Sequence, residues 1–496
     1  MGGDKRDGAG VMRQPRPLLA SPLLAACLPG LAGGVFCNSN QSAQYIRSFD
    51  RNSALDGADI AYYNMAGTVN LPAGLSFDLS NQTILQRATV RTLGNPVLGD
   101  RAYVSRNPVW VVPNMYAVYR RERWAVFTAL QTIGATAVRR WPDGLPSLDL
   151  AGKRAAGYAG APSRIIGADA YAAAIAAGAD PARARAAGAA AGLDARPFPS
   201  ASRLEGSSSF FAWRHGAAFR CGPRFAVALA GRLVWARQDI SGGASGACTY
   251  NQQGHDLRNQ AGVPVDVTLR ALGYSGECSV NYYPAPGLVF TLAFEMATAL
   301  RFRTRVRDGK DGDGRFTDGR RTHLDLPRTW RFGFGWQLTP ELRASLGLNA
   351  YLEHGARMDM LDDPAAGIDS RSGYGNTWEG SAALEYRVAP RWLLSLGVNA
   401  NRIGQRPRAI LDTGLAGAHA DYLSLGAGFR YQPADRLRFN AGVACTGFAH
   451  RLRNADAGDR ALQSAYAAAG AGIHPLKEYD KRYLILALGV EYHLPS

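Results

Sequence analysis

The chain has 496 residues with 56 Lys and Arg against 40 Asp and Glu, a formal net charge of +16, and its 47% hydrophobic content leaves soluble and membrane classes open. After the first few dozen positions no run of about 18 apolar residues occurs, which excludes a helical membrane protein, whereas a β-barrel needs spans of only about ten alternating residues. The arginines are dispersed, with no basic helix or stacking motif, so nucleic acid is not an expected partner.

At the N-terminus, Arg13 and Arg16 precede the apolar stretch Leu18 to Phe36, broken by Pro22 and Pro29, which reads as a secretory signal over 1–34 with Met12 as an alternative initiator. Ala32-Gly33-Gly34 offers small residues for cleavage, while Leu24-Ala25-Ala26-Cys27 fits a lipoprotein box behind a very short apolar stretch. Both routes stay open. Secretion permits disulfides, yet Cys37, Cys221, Cys248, Cys278 and Cys445 form an odd, scattered set. Free or lumen-buried thiols are expected, with Cys221 and Cys278 as the pair able to meet near neighbouring strand ends.

Residues 35–73 are polar, turn-rich and without period, as suits a plug ahead of a first strand. From there alternation of period two marks fourteen segments: Leu75–Arg87, Val109–Arg120, Trp124–Thr136, Ser208–Arg220, Arg224–Arg237, Val263–Tyr283, Leu288–Arg303, Leu324–Leu338, Leu342–Arg357, Thr377–Val388, Trp392–Ile403, Tyr422–Gln432, Leu437–His450 and Tyr483–Leu494. One parity carries the large apolar residues, as in Trp330, Phe332, Phe334 and Trp336, and the other carries Gly, Asn, Gln and Arg. A greasy outer face with aromatics near the strand ends and a small, wet inner face describe an all-β transmembrane antiparallel barrel over 74–496. The 57 glycines, above the ordinary ~7%, agree with curved strands and narrow lumen positions.

The connections alternate between tight turns, such as Cys221-Gly222-Pro223, Thr339-Pro340-Glu341 and Ala389-Pro390-Arg391, and long loops. Short turns face the periplasm in such barrels, so an even strand count sets both termini on the periplasmic side of a Gram-negative outer membrane. The longest excursion, 137–206, is rich in Ala and Arg and suits one or two weak helices broken at Gly178 and Pro181 within an external loop. Asp308-Gly309-Lys310-Asp311-Gly312-Asp313-Gly314 lacks the residue order and terminal Glu of a calcium loop, so no metal is expected there. Nor is any other cofactor.

Tyr63-Asn64-Met65-Ala66-Gly67, followed by Ser80-Asn81-Gln82-Thr83, with Gly144-Leu145-Pro146-Ser147-Leu148-Asp149 and Asp325-Leu326-Pro327 further on, resembles the FadL-type family of outer-membrane transporters for long-chain fatty acids and aromatic hydrocarbons. The resemblance runs from about Asn40 through the last strand. It implies a fourteen-stranded barrel plugged by an N-terminal hatch, moving a hydrophobic ligand without energy input and without catalytic residues. Met65 departs from the family, which has proline there; the fixed backbone angle at that bend is lost.

Candidate ligand groups on the wet face are Arg232, Arg270 and Arg301, any of which suits a ligand carboxylate; the competing reading pairs them with Asp266, Glu295, Asp56 or Asp59. Gly134 in the third segment is a candidate kink or wall opening. Expected partners are a hydrophobic small molecule, lipopolysaccharide and outer-membrane lipid attracted by the positive charge, and the barrel-assembly machinery, which would read the terminal Gly489-x-x-Tyr492-x-Leu494. Leu494-Pro495-Ser496 closes the chain where an aromatic is usual. A structural or adhesive surface barrel, resting on the long Ala/Arg loop, is the alternative, and a hydrophilic porin comes third. No G-x-S-x-G or paired His/Cys ligands point to an enzyme.

Overall fold

The computed structural model describes residues 39–149, 173–187, 201–312, 316–361, 373–405, 420–455 and 472–496, apart from scattered positions inside those ranges, and also residues 196–197, 460, 463 and 467. The signal segment, Cys27 and Cys37, and most of 137–206 and of the calcium-like loop's tip lie outside them.

Fourteen antiparallel spans close into a barrel. They are β1 Gly74–Leu93, β2 Ala102–Arg121, β3 Trp124–Trp141, β4 Ala201–Arg220, β5 Phe225–Gln252 and β6 His255–Tyr282, then β7 in two pieces, Leu288–Glu295 and Arg301–Asp311. β8 is likewise divided, Arg321–His323 and Arg328–Gln337, and is followed by β9 Leu342–Leu352, β10 Thr377–Ala389, β11 Trp392–Arg402, β12 Tyr422–Ala434, β13 Leu437–Phe448 and β14 Leu476–Pro495. Closure is complete: β1 pairs with β14 from Gly74↔Pro495 to Leu93↔Leu476 and with β2 on its other side. Every expected segment falls on one of these spans.

The differences lie at the strand ends. β1, β5, β6 and β14 run well past the alternating segments; β5 and β6 stay paired out to Gln252↔His255, so a presumed long loop is an extended hairpin. Alternation fades there because lipid no longer demands one apolar face. β7 breaks between Glu295 and Arg301, and β9 gives way to a 3-10 turn at Glu353–Gly355 rather than reaching Arg357. Within the Ala/Arg excursion, residues 173–176 and 181–184 are helical on either side of Gly178, which is left-handed at φ 83°.

The two faces follow strand parity. Leu79, Leu346, Leu396, Leu425, Leu486 and Leu488 are exposed on the outer wall while Ser80, Asn349, Ser395, Asn399 and Ala487 are buried inside. With no water to satisfy them, the wall's backbone groups are paired strand to strand, which is why a closed barrel can carry so apolar a surface. Cys221, Cys278 and Cys445 are free thiols, and all three are exposed instead of lumen-buried.

Residues 39–73 fold back inside this wall. Helix α1, Ala43–Ser48, starts at Ser42, whose hydroxyl oxygen accepts from the Tyr45 N–H and whose O–H donates to Asp59 at 2.8 Å. Left-handed Phe49 ends it at φ 54°. Helix α2, Ile60–Tyr63, leads into a 3-10 helix, Met65–Asn70. Almost every residue from Gln41 to Val69 is buried.

Candidate functional site: the hatch, the lumen and the wall

Asn64 is the pivot of the hatch motif. Its side chain accepts from the Gly67 N–H at 3.1 Å and donates to the Ala54 carbonyl at 2.9 Å, which caps the 3-10 helix and ties it to the preceding loop. Gly67 leaves the room for this, since a Cβ there would lie 2.6 Å from the Asn64 amide. Met65 occupies the first helical position, where proline is well tolerated but not required; the cap holds the bend that proline would otherwise fix. Ala66 N–H donates to Ser279 of β6 at 2.9 Å, and Tyr63 stacks flat on Tyr45 at 5.3 Å.

The hatch chain lies against bare backbone. A Cβ on Gly397 would run into the Ser48 carbonyl, one on Gly426 would reach the Ile46 carbonyl at 2.5 Å, and one on Gly333 would reach Asn52 at 2.6 Å. Inward glycines on β8, β11 and β12 thus let residues 46–52 lie directly on the wall. Charges then lock the segment. Arg47 meets Glu385 of β10 at 2.6 Å, and Arg343 of β9 holds the same carboxylate at 3.1 Å. Asp56 bridges Arg51 of the hatch at 2.9 Å and Arg430 of β12 at 2.5 Å. Burial pushes the Asp56 carboxyl up, but Arg51 and Arg430 outweigh it and hold the group well below the usual carboxylate range. Glu379 of β10 accepts from Tyr45, Ser39, Tyr351 and Asn399.

Opposite these anchors, Arg214, Arg232, Glu277, Glu295 and Arg331 form one buried network on five successive strands, β4 to β8. Arg214 meets Glu277 at 2.6 Å, Arg331 meets Glu295 at 2.6 Å, and Arg232 pairs with Glu295 and approaches Glu277 at 3.6 Å. The guanidiniums of Arg214 and Arg331 flank the Tyr62 ring at 4.7 and 4.5 Å, so the network also grips the hatch.

Of the three arginines expected in the lumen, Arg232 alone is there, and Glu295, Ser275 and Thr298 already engage it. Arg270 and Arg301 are exposed on the outer face. Parity decides this: Leu269, Ala271, Leu300 and Phe302 on either side of them point inward. Asp266 pairs weakly with Arg307, 3.9 Å away.

Sequence reasoning missed a different pair. Arg139 of β3 and Lys481 of β14 are both almost fully buried in the lumen. Among the described residues neither meets a carboxylate: Arg139 donates to the Tyr483 hydroxyl at 3.2 Å, and the Lys481 ammonium lies 5.6 Å from the Phe448 ring centre. Lys481 sits between Tyr479 of one apolar cluster and Tyr483 of another. The first of these fills the interior beyond the hatch with Val90, Phe210, Val234, Leu269, Phe302 and Met358. A barrel interior is ordinarily polar; this half also holds a large apolar cluster. In sequence the pair was hidden because a lone Lys or Arg on a strand's inner parity looks like any other lumen charge.

The strand ladder is incomplete beside this cluster. β2 and β3 pair only from Arg121↔Trp124 to Met115↔Leu130, although both strands continue for many residues. Pro113 lacks the N–H a ladder needs, Thr132 is held instead by Asn114 and the Pro113 carbonyl, and the β3–β4 register shifts on both sides of Gly134.

No protein-family model and no curated protein matches the chain by sequence. Solved structures do resemble it. The Pseudomonas putida toluene transporter TodX aligns over 89% of this chain and 95% of its own with a TM-score of 0.54 at 11% identity. The fold is that of the FadL-type barrels. A Pseudomonas aeruginosa FadL homologue gives 0.57 over 93% and 100% at 12% identity, and the Ralstonia pickettii toluene transporter TbuX gives 0.51 over 91% and 98% at 11%.

Proposed function

We propose that this FadL-type barrel is a passive channel of the outer membrane for hydrophobic compounds, with its termini on the periplasmic side. The observation that carries the reading is the apolar interior behind the hatch, opening onto a wall whose β2–β3 ladder stops at Met115↔Leu130. A greasy molecule entering from the loop side finds apolar walls, meets a hatch sealed by hydrogen bonds and ion pairs, and leaves sideways beside Gly134 into the bilayer. Each step exchanges one apolar contact for another, so no energy source is needed. Arg139 and Lys481 favour substrates with a carboxylate head over neutral hydrocarbons, since a buried cation without a counter-ion is costly until an anion joins it.

Tyr63 to Gly67 act as the hatch hinge, and Arg232 serves the wall and hatch as part of the ion-pair network. The protein is not an enzyme. The barrel-assembly machinery engages β14, whose Gly489, Tyr492 and Leu494 pair with Ser80, Phe77 and Leu75 in the closed barrel. The adhesive alternative rests on 137–206, most of which lies outside the described residues.

Uptake of radiolabelled decanoate and of toluene is measured in cells lacking other such channels, with the full chain, with a chain lacking 41–67, and with empty vector. The full chain is expected to raise decanoate uptake severalfold, and the hatch deletion to insert normally yet change that uptake. Uptake no higher than the vector control for both compounds overturns the reading.

A further inference from the structure

An arginine stands at each of four directly opposed positions on four neighbouring strands. The register sets Arg237 of β5 against Arg270 of β6, Arg270 against Arg303 of β7, and Arg303 against Arg321 of β8. All four are exposed on the outer face, and Arg301, Arg305 and Arg307 share that face on β7. Like charges directly opposite one another across strands are destabilising. Counter-ions are few: Arg237 pairs with Asp239 at 2.7 Å, and Arg307 reaches Asp239 and Asp266 only at 3.8 and 3.9 Å. Among the described residues Arg270, Arg303, Arg305 and Arg321 have no ion-pair partner. Between Arg270, Arg303, Arg305 and Arg307 the surface is concave, a cleft of about 580 Å³ with Asp318 also lining it.

The height of the row is as informative as its charge. Arg237 and Arg270 each lie twelve residues from the tight-turn ends Phe225 and Tyr282. At ~3.3 Å per residue and a tilt of ~40°, that is about 30 Å, just past an apolar band of about 25 Å. Immediately below, Trp235, Leu272 and Tyr274 are exposed to the bilayer. An occupant must therefore carry several negative charges above and apolar chains beneath.

We propose that this row is a binding site for the phosphate groups of lipopolysaccharide in the outer leaflet, its acyl chains lying on Trp235, Leu272 and Tyr274; the assignment rests on the membrane orientation given above. Planar guanidiniums in a row match phosphate oxygens bidentately, which lysines would not. A free phosphate uses none of the apolar surface below the row.

The test compares the detergent-extracted full chain, a variant with Arg270→Gln, Arg303→Gln, Arg305→Gln and Arg321→Gln, and a control with Arg121→Gln, Arg123→Gln, Arg224→Gln and Arg391→Gln. The control removes the same charge from the tight-turn rim. Retained lipopolysaccharide is counted by native mass spectrometry, and its rebinding is titrated after delipidation. The row variant is expected to bind about 600-fold more weakly, each of the four arginines near an anionic lipid surface contributing on the order of a factor of five. The control should bind as the full chain does, and excess inorganic phosphate should not displace the lipid.

Undiminished binding by the row variant, equal loss in the control, or displacement by inorganic phosphate each overturns the proposal. Heat-modifiable migration and the β-sheet circular dichroism spectrum verify that each variant is folded. Decanoate uptake by the full chain is read separately: no uptake above vector with intact lipid binding sinks the channel reading alone, and uptake by a full chain that binds no lipopolysaccharide sinks the lipid site alone. Loss confined to the control set reverses the orientation.

Discussion

Arg47 of the hatch helix and Glu385 of the wall lie 2.6 Å apart with both side chains buried, so the plug is bound to the barrel by a charge pair that water scarcely reaches. Its Nη1 also donates to Ser395 of the next strand. Replacing Arg47 by Ala leaves Glu385 with Arg343 as its one ion-pair partner among the described residues. The hatch should lose about 3 kcal/mol of its attachment, the lower end of what breaking a buried pair costs. Hydrogen exchange over 43–53 should accelerate while the strands keep their protection; unchanged exchange would refute this anchoring role.

Gly397→Val tests the close seating of the same helix. The new side chain collides with the Ser48 carbonyl, and backbone cannot swing aside as a flexible side chain can. Trypsin should then cut after Arg47 or Arg51 at least tenfold faster, about 1.4 kcal/mol of opening. Gly380→Val, where a Cβ meets nothing within 4 Å, should leave cleavage unchanged.

Lys481→Met and Arg139→Gln separate charged from neutral substrates. A hydrogen bond to a charged group is worth about 1.5–3 kcal/mol, so decanoate affinity should fall about tenfold to a hundredfold in each. Toluene uptake should hold. Equal losses for both compounds would place the effect in the fold rather than in recognition.

At the wall, Pro113→Val with Gly134→Val restores a donor and a β-former where the β2–β3 ladder stops. Each ladder bond gained is worth about 1 kcal/mol. Unfolding in detergent should shift upward, and decanoate uptake should drop severalfold as the opening narrows. A more stable barrel with unaltered uptake would rule out exit at this point.

Strand count, strand parity and the rhythm of turns were legible because each lipid-crossing residue faces either hydrocarbon or lumen, and that constraint is written at period two. The segment Trp330 to Leu338 and the final span Leu484 to Leu494 carry it in plain form. The hatch was legible as a polar, aperiodic prelude ending in Tyr63-Asn64-Met65-Ala66-Gly67. What Asn64 does there was not, because a cap is defined by the backbone it meets.

Parity within a segment is legible only while lipid enforces it. Above the band Arg270 and Arg301 follow the same alternation, yet nothing in their neighbours' chemistry marks the outer side, so their facing needed the paired strands. Partners farthest apart in sequence were decided last: Arg47 with Glu385, Arg139 with Tyr483, and the arginine row itself arise only when closure brings distant strands to one height. Local periodicity determines a barrel with a plug; the register of its closure decides which charges meet, which remain unpaired, and where the wall fails to seal.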